Sequence, residues 1–129
     1  MDLKMMSAVE LAFVGDAVYE LLVREHIART VNTNPARLHA LSVSYVKAEA
    51  QHRALAQLTP HLSEQELAVA RRGRNATKTS VPKNSNPAEY RDATALEALF
   101  GYLFLAEENQ RLQELFALVT EVKNDAAAE

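Results

Sequence analysis

The stretch that decides the fold is residues 9–27, which read VELAFVGDAVYELLVREHI. Apolar residues recur at helical spacing on two sides of this stretch. One side carries Val9, Phe13, Val23 and Ile27, and the other carries Leu11, Val14, Val18 and Leu21. A helix that is apolar on nearly all sides is usually a central, buried one. We therefore predict a helix from about Ser7 to about Thr30 at the centre of the fold.

Two acidic residues interrupt the first apolar side of this helix. Asp16 and Glu20 are four residues apart and lie between Phe13 and Val23. Burying a carboxylate is costly unless the group is paired or binds a metal. A conflict between the apolar pattern and the residue type marks a candidate functional site.

A third carboxylate, Glu97, lies in a mostly apolar face of the penultimate predicted helix. Gly101, one turn later, allows a neighbouring helix to approach closely. If the two helices pack face to face, Asp16 and Glu97 meet, and they repel each other unless a cation intervenes or one is protonated. Oxygen ligands favour Mg²⁺ or Mn²⁺. A mid-helix acid is more often a surface or salt-bridged residue, and that alternative stays open. Asp92 points away from Glu97 and is not counted.

A cationic segment without any acidic residue follows at residues 71–83. Its charged and amide side chains, with the adjacent Asn84, are Arg71, Arg72, Arg74, Asn75, Lys78, Lys83 and Asn84. In a chain of net charge −3, this local concentration predicts a phosphate-binding surface. The segment has no aromatic residue on which bases could stack, so contacts to a nucleic-acid duplex fit better than contacts to a single strand. The alternative is a loop that only aids solubility.

The composition of the chain limits its domain number, its metal chemistry and its location. The chain has 129 residues, of which 48% are hydrophobic and 24% charged, which suits one domain over residues 1–129. There is no cysteine, so disulfides and thiolate metal sites are excluded. No run of apolar residues is long enough to span a membrane, and the N-terminus lacks signal-peptide features. We expect a cytoplasmic protein that does not bind membranes.

The rest of the sequence predicts further helices and one loop. Asn34-Pro35 and Asn86-Pro87 each resemble a helix cap followed by proline, and Ser63 with Glu66 forms a predicted capping box. The predicted helices after the first cover 36–41, 45–58, 64–72, 87–106 and a last amphipathic stretch that includes residues 112–122. A loop is predicted for 73–86, and fraying for about 124–129. The fold class is therefore all-α.

Two motifs now suggest a family. Residues 13–17, FVGDA, resemble the signature helix of the ribonuclease III catalytic domain, and residues 97–101, EALFG, resemble its second acidic motif. The closer resemblance is to a short bacterial class of this family that lacks a double-stranded RNA-binding domain. That likeness also includes residues 72–76, 82–84, 90–91 and 94–105, and it covers essentially residues 7–118.

The resemblance implies a single ribonuclease III-like domain in which Asp16 and Glu97 are the catalytic, metal-binding carboxylates. It implies hydrolysis of double-stranded RNA with Mg²⁺, for which Mn²⁺ substitutes, leaving a 5′-phosphate and a 3′-hydroxyl. It also implies a homodimer with one active site for each strand. For the short class, the implied substrate is a stem of precursor 23S ribosomal RNA, and a ribosomal protein is a candidate partner.

The chain departs from the long-form enzymes at three positions. Those enzymes carry further acids where this chain has Val9, Ala12 and Thr94. Glu20 is a candidate substitute ligand, although the long-form motif does not support it directly. This loss keeps open a rival interpretation, a non-catalytic RNA- or ribosome-binding module with a degenerate site. A helical protein-interaction domain is a third alternative, against which the cationic segment argues.

The two apolar sides of the first helix also predict oligomerisation. They present more apolar surface than one small core covers, so we expect the uncovered side to form a homodimer interface. Part of the Glu97 helix should join it, with the acids near but outside the contact.

Overall fold

The chain forms six α-helices in the computed structural model, which describes residues 2–76 and 81–128, without the side chains of 122–128. The helices are α1 (Ala8–Thr30), α2 (Pro35–Val46), α3 (Ala48–Leu58), α4 (Glu64–Ala76), α5 (Pro87–Leu105) and α6 (Asn109–Ala128). Short 3₁₀ turns at Leu3–Met5 and Thr59–His61 precede α1 and follow α3. Within the described ranges there is no strand, and the predicted all-α fold is confirmed.

Side-chain caps set where the helices begin. A capping box at α1 pairs the Ser7 hydroxyl with the Glu10 amide over 3.1 Å, and the predicted box of Ser63 and Glu66 precedes α4 in the same way. The Asn34 side chain accepts a hydrogen bond from the third amide of α2, and Asn86 accepts from the first amides of α5. The predicted starts of these helices are confirmed.

The central helix is α5 rather than α1. It packs against α1, α3 and α4, and residues 92–96 and 98–101 are all buried. Helix α1 buries only one side, since Val9, Phe13 and Leu21 are exposed. The prediction that α1 is apolar all round because it lies at the centre is therefore wrong, since its outward residues remain uncovered in the single chain.

The boundary between α2 and α3 differs from the prediction. Helix α2 continues to Val46 instead of ending near Leu41, and α3 begins at Ala48 instead of Tyr45. The extended conformation of Lys47 separates the two helices. Ser42 and Tyr45 are buried in α2, so tertiary packing carries the helix past its predicted end.

The loop predicted from Gly73 begins too early. Helix α4 continues to Ala76, because Gly73 faces α5, where an added Cβ would lie 2.8 Å from the Ala98 Cβ. Here glycine permits close packing and does not end the helix. Residues 77–80 lie outside the described residues. In residues 82–85, a turn with Asn84 at a positive φ of 73° confirms irregular structure before α5.

Helix α6 closes the core. Its Phe116 packs edge-on against Tyr19, with ring centroids 5.9 Å apart, and Phe100 of α5 lies 5.1 Å from the same ring. The α6 backbone remains helical to Ala128, through the stretch predicted to fray, and residue 129 lies outside the described residues. No helix in the described ranges has both the length and the hydropathy needed to cross a membrane.

Candidate active site

Two glycines bring α1 and α5 into backbone contact. A Cβ at Gly15 would lie 1.5 Å from the Glu97 carbonyl oxygen, and one at Gly101 would lie 1.9 Å from the Leu11 carbonyl oxygen. A side chain at either position would force the helices apart. The close approach predicted from Gly101 is therefore present, and Gly15 provides its counterpart on α1.

This crossing brings Asp16 and Glu97 together. Asp16 is exposed and Glu97 is half-buried. Burial, followed by the charge of Asp16, raises the pKa of Glu97 to about 7 from its ordinary value of 4.5. The two acids thus converge as the sequence predicts, and a bound cation would relieve their repulsion.

The raised pKa predicts how stability varies with pH when metal is absent. Below about pH 4.5 the Glu97 carboxyl is neutral in both the folded and the unfolded protein. Between about pH 4.5 and pH 7 it ionises in the unfolded chain but stays protonated in the folded protein. Stability therefore falls as the pH rises through this range. Between these two pH values, the free energy of unfolding of the wild type in EDTA should fall by at most roughly 3 kcal/mol relative to that of Glu97→Gln. Thermal melts at several pH values measure this difference. Parallel profiles for the two proteins would contradict the shift, and Glu49→Gln, at an exposed acid, is the matched control.

A buried amide that the sequence analysis missed lies against Glu97. Gln51 of α3 donates from Nε2 to the Val46 carbonyl over 2.8 Å, and its Nε2 lies 3.5 Å from Glu97 Oε2. One signal could have found it: Gln51 precedes Ala54, Leu55 and Leu58 at helical spacing, on the face that α3 buries. A polar residue on that face requires a partner.

Tyr19 is a second missed polar group near Glu97. Its side chain is 1% exposed and its hydroxyl has no hydrogen-bond partner within the described residues. Burial, then the charges of Tyr45 and Glu97, raises the pKa of Tyr19, so the phenol stays neutral. A tyrosine in an apolar stripe looks like an ordinary core residue, so the sequence indicates only that Tyr19 belongs to the first helix.

Glu20 is not brought to the acid pair. Its carboxylate pairs with Arg24 over 2.9 Å and accepts a hydrogen bond from the Ser42 hydroxyl over 3.3 Å. Among the side chains that the structure describes, in residues 2–76 and 81–121, no group of three or more His, Cys, Asp or Glu lies close enough together to hold an ion. The geometry therefore offers two acids, Asp16 and Glu97, as the candidate ligands.

The three positions that lack the family's acids differ in their surroundings. Val9 is 59% exposed and Ala12 is buried beside α5. The hydroxyl of Thr94 is buried and donates to the Tyr90 carbonyl over 3.1 Å. None of the three adds a carboxylate to the pair.

The cationic segment is divided by the structure. Arg71, Arg72, Arg74 and Asn75 lie on the last turns of α4, whereas Lys83 and Asn84 lie in the turn before α5, and all six are exposed. Lys78 lies outside the described residues. One guanidinium nitrogen of Arg72 donates to the Met6 carbonyl over 2.9 Å, which fixes that side chain at the start of α1. The positive φ of Asn84 gives it a conformational role in the turn.

Asp92 anchors this segment to the core. It is 8% exposed, forms an ion pair with Arg74 and lies 2.6 Å from Nδ1 of His52. The charge of Arg74 is therefore partly neutralised by Asp92 within the protein. Asp92, which was not predicted to take part in the Glu97 site, joins α3 and α4 to α5 through these contacts.

Comparison with known proteins places this geometry in a family. The profile of the Ribonuclease III domain matches residues 9–108, a range that includes both Asp16 and Glu97. A solved structure of a Fusobacterium nucleatum protein is similar with a TM-score of 0.84 and 27% identity, covering 95% of this chain and 98% of that chain. Enzymes of this family act on double-stranded RNA, generally use a divalent metal and are typically dimeric.

Relatives with similar sequences indicate which branch of this family the chain belongs to. Mini-ribonuclease 3 of Clostridium tetani is 37% identical over 127 residues, covering 98% of this chain and 84% of that protein. Mini-ribonuclease 3 of Symbiobacterium thermophilum is 47% identical over 105 residues, 81% of each chain, and that of Brevibacillus brevis is 43% identical over 92% and 91%. The chain therefore belongs to the ribonuclease III family of endoribonucleases, in its Mini-ribonuclease 3 branch.

Proposed function

We propose that this endoribonuclease cleaves double-stranded RNA with a divalent cation, Mg²⁺, held by Asp16 and Glu97. The observation that carries the proposal is the convergence of these two acids at the Gly15–Gly101 crossing. Maintaining a half-buried carboxyl beside a second carboxylate has no evident benefit for folding, whereas a cation makes the arrangement favourable.

The donor set fits a hard divalent ion. Both groups supply carboxylate oxygens, which Mg²⁺ prefers, and Mg²⁺ is commonly held by one or two carboxylates together with water and substrate phosphate. When bound, the ion would polarise the phosphodiester and favour attack by water. Asp16 and Glu97 would hold it, and Glu97 would bind it in the deprotonated form. Glu20 stays a prediction as a further ligand, and it would first have to leave Arg24 and Ser42.

The cationic segment is the proposed RNA-binding surface. Arg71, Arg72 and Lys83 are exposed cations on α4 and in the turn before α5. Arg74 contributes less direct charge because it pairs with Asp92. We retain Asn75, Asn84 and Lys78 as predicted contacts that add to these. Phosphate contacts of this kind bind duplexes without strong sequence preference.

The salt dependence of binding tests this surface. Replacing both Arg71 and Lys83 with Ala should lower the slope of log affinity against log salt by about two, or roughly one for each lost phosphate contact. Fluorescence anisotropy with a labelled RNA duplex in Ca²⁺ or EDTA measures binding without cleavage. The matched control replaces Arg29 and Arg37, exposed cations outside the segment. An unchanged slope in the first variant would show that the segment does not contact the backbone.

The proposed homodimer uses the uncovered side of α1. Phe13 is 81% exposed, Leu21 is 66% exposed and Phe104 of α5 is 48% exposed. These three residues line one groove, and Asp16 and Glu20 line it as well. A contiguous apolar surface of this kind is typical of a protein interface. A twofold dimer through it would place two acid pairs near one interface, one for each RNA strand.

A charge in the groove should break the dimer. Leu21→Glu would bury an unpaired carboxylate in the interface, and we expect light scattering at micromolar concentration to change from about twice the chain mass to the chain mass. Val43→Glu is the matched control, because Val43 is exposed on α2 outside the groove. A wild type that is already monomeric and fully active would overturn the proposal of a dimer.

We also propose a specific substrate and cellular location. The substrate would be a stem of precursor 23S ribosomal RNA in the cytoplasm, as the resemblance to the short class implies. The matches to proteins named Mini-ribonuclease 3 support membership of that short class, on which this proposal depends. A ribosomal protein remains a candidate partner.

A cleavage assay tests the proposed function. We expect an end-labelled RNA duplex to be cut in Mg²⁺, to remain intact in EDTA and to be cut again when Mg²⁺ is restored. The single-stranded form of the same RNA should be cut far more slowly. Binding of the duplex without cleavage in any divalent metal would favour the rival, a module with a degenerate site.

A further inference from the structure

Gln51 occupies an unusual position for an amide side chain. It is 4% exposed, and its Nε2 contacts both the Val46 carbonyl, at 2.8 Å, and Glu97 Oε2, at 3.5 Å. Because a carbonyl can only accept a hydrogen bond, the Val46 contact determines which end of the amide is nitrogen. The same NH₂ group therefore presents a donor to the Glu97 carboxylate.

The rest of the amide supports a role beyond packing. Its Oε1 has no hydrogen-bond partner within the described residues, so the buried group is incompletely satisfied. Burying such a group is unfavourable for folding, and an apolar side chain of similar size would avoid the cost. Val46 ends α2, so Gln51 links the junction of α2 and α3 to the acid-bearing face of α5.

We infer that Gln51 is a positioning residue that orients the Glu97 carboxylate toward Asp16 for cation binding. The inference rests on the proposed function. A glutamate side chain has several rotatable bonds, and a donor fixed by the backbone restricts the orientations of its carboxylate. Partners of this kind often matter nearly as much as the ligands. Support from a neutral residue matters more here, because Val9, Ala12 and Thr94 add no further acid.

Gln51→Met tests the inference, because methionine has similar length and no donor. Using Mn²⁺ alone as the probe, isothermal titration of the folded protein should show affinity about 10- to 100-fold weaker than wild type. At fixed Mg²⁺, kcat should fall while KM for the duplex stays unchanged. Gln57→Met is the matched control, since Gln57 is exposed on the same helix. Circular dichroism melts in EDTA report the stability of each variant separately.

The outcomes separate the two proposals. If wild type binds Mn²⁺ and Asp16→Asn does not, but Gln51→Met binds it like wild type and only melts earlier, Gln51 has a purely structural role and the inference is wrong. If wild type itself binds no Mn²⁺, the proposed function fails instead. Should Gln51→Met not fold, Gln51→Asn keeps the amide but shortens it by one methylene. It should likewise weaken Mn²⁺ binding, and wild-type affinity in that variant would overturn the inference.

Discussion

The Asp16→Asn variant should cleave duplex RNA at least about a thousandfold more slowly than wild type and bind it with unchanged affinity. A neutral amide is a poor substitute for a carboxylate ligand of Mg²⁺, and the ion supplies several kcal/mol of transition-state stabilisation. Single-turnover cleavage at saturating enzyme measures the rate, and anisotropy measures binding. Without metal, the same variant should melt at a higher temperature: burial, the main cause of the raised pKa of Glu97, remains, but the repulsion from the Asp16 charge, the second cause, is gone.

Glu49→Gln is the matched control for this variant. It removes one carboxylate at an exposed site on α3, where Glu49 pairs with Arg53 of the same helix. We expect cleavage near the wild-type rate. Activity of Asp16→Asn close to that of Glu49→Gln would remove Asp16 from the mechanism.

Gly15→Ala should destabilise the fold severely. The added methyl would lie 1.5 Å from the Glu97 carbonyl oxygen, so α1 and α5 would have to separate. Overpacking of a core usually costs about 1–3 kcal/mol, and a clash with helix backbone lies at or above the upper end of that range. We expect the melting temperature to fall by roughly 10 °C or more, or the cooperative transition to disappear.

The three glycines of the chain provide an internal comparison for this effect. Gly101→Ala should be as harmful as Gly15→Ala, because its Cβ would lie 1.9 Å from the Leu11 carbonyl oxygen. Gly73→Ala should cost less, since its nearest contact is the Ala98 Cβ at 2.8 Å. Equal melting temperatures for all three variants would contradict the helix crossing described above.

The sequence was sufficient to predict that Asp16 and Glu97 meet, because the apolar pattern around each acid and the glycine near Glu97 point to the same helix packing. Asp16 and Glu97 each interrupt an apolar stripe, and Gly101 marks the close packing that joins them. Their meeting required only that two apolar faces pack together. The all-α class and the caps at Asn34, Ser63 and Asn86 follow from equally local rules.

The features that depend on tertiary packing were not predicted. Gly73 looked like a helix breaker, but α5 lies too close for any side chain there. Arg74 looked like a free cation, but it pairs with buried Asp92, which lies 18 positions later in the sequence and comes near only through the fold. Gln51 and Glu97 are 46 positions apart, so no local pattern connects them. Residues far apart in sequence meet only when the helices have packed.

The most direct test that Asp16 and Glu97 hold the cation is crystallography of protein crystals soaked in Mn²⁺, with data collected at the manganese absorption edge. We expect an anomalous peak within coordination distance, roughly 2.1–2.2 Å, of carboxylate oxygens from both Asp16 and Glu97. The peak should be absent from Asp16→Asn crystals treated in the same way. A wild-type crystal with no peak between these acids, from protein that still cleaves duplex RNA in Mn²⁺, would contradict the central claim.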